Sequence, residues 1–328
     1  MILAGDIGGT HARIAIFAVE GGRPRLGVER VYPTHEHPNL ESALREFLKE
    51  GIERPTAACF GIAGPVHNGR ARMPNLGWVV EGSALAKIAG TERVAIINDL
   101  EANAYGIAAL EPGDFAVLNE GAKDAIGNAA VISAGTGLGE AGLYFDGKEW
   151  RPFACEGGHA GFAPADELQT EMLVWLRKQF TQVSWERVLS GQGIFNIYSF
   201  LRASGRRQEE PWLAEALKGG DPAPVIVNTA IEKKSPLCEM TMEIFVSAYG
   251  AEAANLALKI MATGGIFVGG GIAPRILGLL KGPFFMNAFA NKGRMSELLK
   301  AIPVKVILND STALIGAARA AALSAGLI

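Results

Sequence analysis

Gly5-Asp6-Ile7-Gly8-Gly9-Thr10-His11-Ala12-Arg13-Ile14-Ala15-Ile16-Phe17 decides how the chain is read: an apolar strand, a glycine-rich turn and a second apolar strand. Consecutive glycines let backbone N–H groups turn toward an anion, Thr10 adds a hydroxyl donor, and Asp6 is placed to hold a hydrated Mg²⁺ beside bound phosphates. A second turn, Ser133-Ala134-Gly135-Thr136-Gly137-Leu138-Gly139, stands in a similar frame before Leu143-Tyr144-Phe145. Asp6 to Phe17 and Ala134 to Phe145 cover the same span at an offset of 128 positions, as expected of two related halves facing one nucleotide.

Outward from the first turn, strand signals fall at 2–6, 12–18, 26–32, 56–62 and 93–97, with helices at 39–50, 83–88 and 100–109. The first three strands read as hairpin-connected and the later ones return through helices, which predicts a mixed sheet flanked by helices. From about 114 the pattern restarts, with strands at 115–118 and 129–133 ahead of the second turn. Segment 166–254 reads as mostly helical, interrupted at Ser204 to Pro211 and around Gly219 to Pro224. The tail returns to strand, Gly269-Gly270-Gly271 and a helix from Pro274, then Val304 to Leu308 and an Ala-rich helix at 311–324.

The 328 residues, 49% hydrophobic and 20% charged, suffice for two cores. A net charge of -3 and no long Lys/Arg run argue against nucleic acid as a partner. The start lacks the basic and apolar regions of a signal peptide, and no apolar run reaches the roughly 18 residues of a membrane helix, so a cytoplasmic protein without membrane attachment is expected. Cys59, Cys155 and Cys238 are odd in number and far apart, which indicates reduced thiols.

Each constellation has a plain structural reading beside a chemical one. Gly137-Leu138-Gly139-Glu140-Ala141-Gly142 matches the dinucleotide fingerprint, but the strand and hairpin signals after it exclude the helix that fingerprint requires. A Walker P-loop is absent, so a nucleotide would be held by the hairpin turns and Mg²⁺. Asn98-Asp99 joins a buried strand to a helix: this is a helix cap, or an acid at a strand end placed as a general base. Glu156-Gly157-Gly158-His159 leaves room for a ligand against backbone between two groups able to bind hydroxyls, although a lone histidine is more often structural. Glu186 alone reads as a solvated or ion-paired residue. Asn75 is a turn amide or a sugar clamp beside Trp78, whose ring can cover an apolar sugar face. Gly269-Gly270-Gly271 is either turn chemistry or bare backbone that admits adenine or ribose.

Taken in order, these stretches resemble the bacterial glucokinase family, within the larger hexokinase, actin and Hsp70 ATPase fold. The likeness runs through nearly the whole chain. Gly5-Asp6-Ile7-Gly8-Gly9-Thr10 is similar to the family's first phosphate motif, Asn98-Asp99 to its strand-end pair, and Ala134-Gly135-Thr136-Gly137-Leu138-Gly139 to its second phosphate turn. Glu156-Gly157-Gly158-His159 resembles its sugar-binding stretch, Trp185-Glu186-Arg187-Val188-Leu189-Ser190-Gly191 the segment with its other glucose acid, and Gly269 to Arg275 its adenosine segment. His11 stands where family members often carry Asn. The zinc-binding cysteine cluster of the related ROK family is missing.

The resemblance implies a two-domain, actin-like (ribonuclease H-like) α/β fold with mixed sheets and a cleft between domains. The small domain would be 1–109 completed by 307–328, and the large one 110–306 with a helical insertion. It implies ATP-dependent phosphorylation of D-glucose at the 6-hydroxyl, feeding glycolysis, with ATP and Mg²⁺ as cofactors. Asp99 would be the catalytic base; Asn75, Asn98, Asp99, Glu156, His159 and Glu186 would bind glucose. Gly5, Asp6, Ile7, Gly8, Gly9, Thr10, Gly135, Thr136, Gly137, Gly269, Gly270 and Gly271 would bind the nucleotide, Asp6 holding Mg²⁺ through water. Sugar binding would close the cleft and exclude water, so ATP hydrolysis without sugar would be low. A homodimer is also implied. Other readings are a kinase of another hexose, a sugar-sensing regulator, which would need a DNA-binding segment the sequence lacks, and an actin-like assembly protein.

Overall fold

The computed structural model describes residues 1–328 apart from 52, 74 and 75. It divides into two compact units: residues 1–114, 150–154 and 309–328 form the first, residues 115–149 and 155–308 the second.

In the first unit, β1 (Ile2–Ile7), β2 (His11–Glu20), β3 (Arg23–Pro33), β4 (Ala57–Ile62) and β8 (Val94–Asn98) make one sheet in the order β3-β2-β1-β4-β8. β1–β2 and β2–β3 are antiparallel, β1–β4 and β4–β8 parallel, the mixed sheet that the hairpin and crossover signals predict. Alternate side chains of β1 point to opposite faces. Leu3 and Ile7 enter a core with α1 (Leu40–Leu48) and α2 (Gly82–Ala89), whereas Ile2 and Ala4 pack with Leu314, Ala317 and Ala321 of α12 (Thr312–Ser324). The alanines of α12 let it lie close. At its crossing with α3 (Asp99–Ile107), a Cβ on Gly316 would overlap the Ala102 carbonyl. β5 (Val66–His67), β6 (Arg70–Met73) and β7 (Trp78–Glu81) add a small antiparallel sheet that the sequence reading did not contain.

The second unit repeats the scheme. Its strands β9 (Phe115–Asn119), β10 (Ala129–Ala134), β11 (Leu138–Phe145), β13 (Gly265–Gly269) and β14 (Val304–Ile307) lie in the order β11-β10-β13-β14-β9; most of β12 (Trp150–Cys155) belongs with the first unit. β10, like β1, has an antiparallel hairpin partner on one side and a parallel neighbour on the other. The two turns differ in length, the last pairs being Ile7 with Ala12 and Ala134 with Leu138.

The unit's helices are α4 (Glu167–Leu176), α5 (Gly191–Ala203), α6 (Pro211–Ala216), α7 (Pro222–Ile231), α8 (Pro236–Ile260), α9 (Leu277–Leu280), α10 (Pro283–Ala290) and α11 (Ser296–Lys300); α8 lies against β10 and β13, and α5, α7 and α10 pack on α8. The interruption expected around 219–224 is shorter, because Pro222 occupies the first turn of α7 with Asp221 as its cap. The helix expected from Pro274 begins only at Leu277. The chain after β13 is instead tied back to β10, Ile272 N–H donating to Ala134 O at 3.2 Å, and Gly270 takes φ 81°, a left-handed conformation suited to glycine. Among the described residues no helix is long and apolar enough to cross a membrane. Cys59 and Cys238 are buried and all three cysteines are free.

Candidate active site

The first glycine turn is closed from both sides. Gly8 N–H donates to His11 O at 2.9 Å, Thr34 Oγ1 donates to Gly9 O at 2.9 Å, and Thr34 N–H to Thr10 O at 3.0 Å. These bonds take carbonyls and one amide; among the described residues the N–H groups of Gly9 and Thr10 meet no protein acceptor. Gly5 and Ile7 lie deeper, inside the sheet: a Cβ on Gly5 would overlap the Phe60 ring, and the Ile7 side chain is buried in the core, leaving only backbone for a ligand. His11 Nδ1 lies 3.1 Å from Thr10 Oγ1.

Asp6 is opposite Arg13 in the ladder. Burial raises its carboxyl from 3.8 to about 6, Arg13 opposing and Glu29 adding to the rise. Arg13 is already engaged, its Nε donating to Glu29 Oε1 at 2.8 Å and its other nitrogens to Asp310 O and Ser311 Oγ. A buried carboxyl short of positive charge suits a cation. Among the described residues no three His, Cys, Asp or Glu side chains gather to make a protein cage.

At the end of β8, Asn98 caps α3: its Oδ1 accepts from Leu100 N at 2.9 Å and Glu101 N at 3.4 Å, and its Nδ2 donates to Gly64 O at 3.2 Å. The capping reading therefore holds for Asn98. Asp99 occupies the first helical turn, Oδ1 accepting from Leu100 N at 3.0 Å, where the helix dipole favours negative charge. Asn75 lies outside the described residues. Trp78, whose ring one of the two readings of this turn placed on a sugar face, is only 6% exposed and packs into the first unit's core with Met73 and Val80.

In the second unit Gly135 N–H donates to Gly137 O at 2.8 Å and Gly135 O accepts from Gly191 N at 2.9 Å. The N–H groups of Thr136 and Gly137, like those of Gly9 and Thr10, have no protein acceptor among the described residues. Glu186 braces this turn: its Oε2 accepts from Leu138 N at 3.1 Å and sits against Gly137, leaving no room for a side chain there. The same acid is held beside the 156–159 stretch. Trp185 N–H donates to Ala160 O at 3.0 Å, Phe162 N–H to Val183 O at 2.9 Å, and the Phe162 and Trp185 rings meet edge to face at 4.9 Å. Glu156 and His159 present their polar ends 3.9 Å apart and are more than half exposed.

A cavity of about 630 Å³ opens beside the turn and brings Gly135 and Thr136 together with Gly271. Gly269 and Gly270 have another use, since a Cβ on either would press into Ser133 Oγ or the Ala134 carbonyl; only Gly271 faces open space. Ile272, Ile276, Pro224 and Val227 supply apolar walls, with Asn228 and Gln192 as polar groups and Asp221 and Arg275 as charged ones, a mostly apolar lining with a few polar groups that suits a nucleoside. Sequence reasoning missed the contribution of α7, because a cavity wall assembled from distant helices leaves no local pattern.

The family model for glucokinase matches residues 3–324. A glucokinase of Trichormus variabilis is 40% identical over 98% of this chain and 99% of its own, and one from Synechocystis is 40% identical over 98% of both. The crystal structure of a glucokinase from an Antarctic psychrotroph, 32% identical, covers 98% of each chain with a TM-score of 0.85. A ROK-family glucokinase of Streptomyces griseus, crystallised with glucose and AMPPNP, shares the fold at 22% identity, 98% and 99% coverage and a TM-score of 0.63. The chain belongs to the glucokinase family, enzymes that phosphorylate glucose with ATP.

Proposed function

We propose that this chain carries out the family's reaction, transfer of the ATP γ-phosphoryl group to the 6-hydroxyl of D-glucose, with the following division of labour. The N–H groups of Gly9, Thr10, Thr136 and Gly137 hold phosphate oxygens, and the cavity beside Gly271 takes the nucleoside. Asp6 holds Mg²⁺ through water; when bound, the ion neutralises charge on the phosphate oxygens. Glu156, His159 and Glu186 bind sugar hydroxyls, since acids accepting from paired hydroxyls discriminate epimers. Asn98, committed to its cap, fixes the start of α3. Asp99 accepts the hydroxyl proton, and because the transition state is loose, alignment and charge stabilisation supply the larger part of the rate. By likeness to the family the enzyme works as a homodimer in the cytoplasm.

The observation that carries this reading is the pair of glycine turns, each with two adjacent backbone donors open and the second giving onto a cavity of nucleoside size. A coupled assay of sugar phosphate formation with varied donors and sugars tests it. Highest kcat/KM for ATP with glucose is expected; a higher value for fructose, mannose or an N-acetylated sugar would reassign the substrate, and no sugar phosphate at all would refute the proposal.

A further inference from the structure

Glu140 is a buried acid that the reaction does not use. It lies on β11 with 2% of its surface exposed, and Glu252 of α8, fully buried, faces it. Glu252 is well supplied with donors: Asn255 Nδ2 donates to its Oε2 at 2.7 Å, Lys259 Nζ approaches its Oε1 at 3.3 Å, and Lys292 Nζ donates to Asn255 Oδ1 at 2.6 Å. Glu140 is not. Its Oε1 meets no donor among the described residues, and its carboxyl lies within hydrogen-bonding reach of the Glu252 carboxyl. Two carboxyls so placed out of water require a proton between them.

The other oxygen of Glu140 sits directly on the sugar-binding stretch. A Cβ on Gly157 would overlap Glu140 Oε2, and one on Gly158 would overlap the Leu138 carbonyl, so β11 forms the floor on which the Gly157–Gly158 turn rests. We infer that Glu140 is a positioning residue: as a neutral carboxyl donating to Glu252 it fixes this turn, and with it Glu156 and His159, while its ionised form releases them. The inference rests on the reading of Glu156 and His159 as sugar-binding groups.

Burial, reinforced by Glu252, pushes Glu140 from 4.5 up to about 7, with Lys259 opposing. The other charged or titratable groups near it are Tyr249 on α8, Cys155 at the end of β12 and, through Asn255, Lys292. The switch from held to released turn therefore falls in the neutral range. The stretch also contains a histidine, so the difference between wild type and variant is the informative quantity.

The experiment is the pH profile of glucose KM and kcat for the full-length enzyme, for Glu140→Gln, which keeps a neutral donor of the same shape, and for Glu156→Gln. Relative to Glu140→Gln, wild-type glucose KM is expected to rise about fivefold or more from about pH 6 to about pH 8.5, with little change in kcat. Coincident profiles for wild type and Glu140→Gln, with a raised KM in Glu156→Gln, would overturn the inference alone; an unchanged KM in Glu156→Gln would remove the sugar-binding reading beneath it. Should Glu140→Gln fail to fold, Glu252→Gln serves in its place. Without the neighbouring carboxylate Glu140 ionises more readily, so the rise in KM moves to lower pH by about one unit or more, and an unmoved midpoint overturns the inference.

Discussion

Tyr249 offers a sharp test of how the second glycine turn is held. Its ring is fully buried in α8, edge-on to Phe245 and Phe285, and its hydroxyl accepts from Ala134 N–H at 3.1 Å. The single phenolic proton faces Ile132 O and Gly269 O, each at 3.2 Å, so one oxygen ties the ends of β10 and β13 together immediately before Gly135 and Gly270. Tyr249→Phe keeps the ring and removes the tie. Leaving the buried Ala134 N–H without its partner costs about 1–3 kcal/mol. For a chain of 328 residues that corresponds to a Tm lower by about 1.5–4.5 °C in a thermal melt. Because the loosened residues flank the second glycine turn, proposed to hold phosphate, KM for ATP should rise by about threefold or more while KM for glucose changes little. A variant with wild-type melting and wild-type ATP KM would refute the view that this hydroxyl sets the turn.

Other outcomes follow from the same geometry. Gly9→Ala, in open space, should leave Tm unchanged and raise ATP KM, whereas Gly5→Ala presses on Phe60 and should cost about 1–3 kcal/mol in a denaturant melt. Glu140 has a folded pKa raised from 4.5 to about 7, so its contribution to stability is fully present below about 4.5 and lost as pH rises through 7. Glu140→Gln should therefore be more stable than wild type at about pH 8, by about 3 kcal/mol, and indistinguishable from it in chemical denaturation at about pH 4. Asp6 behaves alike, its stability present below 3.8 and lost through about 6; Asp6→Asn should melt higher than ligand-free wild type at about pH 8 yet gain less Tm from MgATP, and an equal gain would exclude Asp6 as the Mg²⁺ residue.

Much of this architecture was legible from local pattern. The strands around both glycine turns stand out because short apolar runs end at glycines, and the predicted 2–6 and 12–18 differ from Ile2–Ile7 and His11–Glu20 only at their ends. The small sheet at 66–81 was not, since strands of two to four residues between glycines and prolines carry no period. α8 shows the opposite difficulty. It is buried on nearly every side, so its apolar residues mark no face, and it runs on to Ile260 where the helical reading stopped at 254. At the site, the glycine turns, Asp99 and the 156–159 stretch are local motifs. The two readings of the turn before Trp78 stayed open because nothing in its neighbours reveals that β7 turns the ring inward, and the meeting of Glu140 with Glu252, or of Glu186 with Leu138, depends on residues far apart in sequence.

The most direct test of the account is Asp99→Asn, examined by calorimetric titration with glucose and by turnover with ATP. The substitution keeps the shape of the first turn of α3 and an oxygen able to accept from Leu100 N–H, but removes the carboxylate proposed as the base. Glucose affinity within about threefold of wild type, with kcat lower by about two orders of magnitude or more, is the expected result. Near-normal turnover from a correctly folded Asp99→Asn protein would contradict the assignment of the proton to this carboxylate.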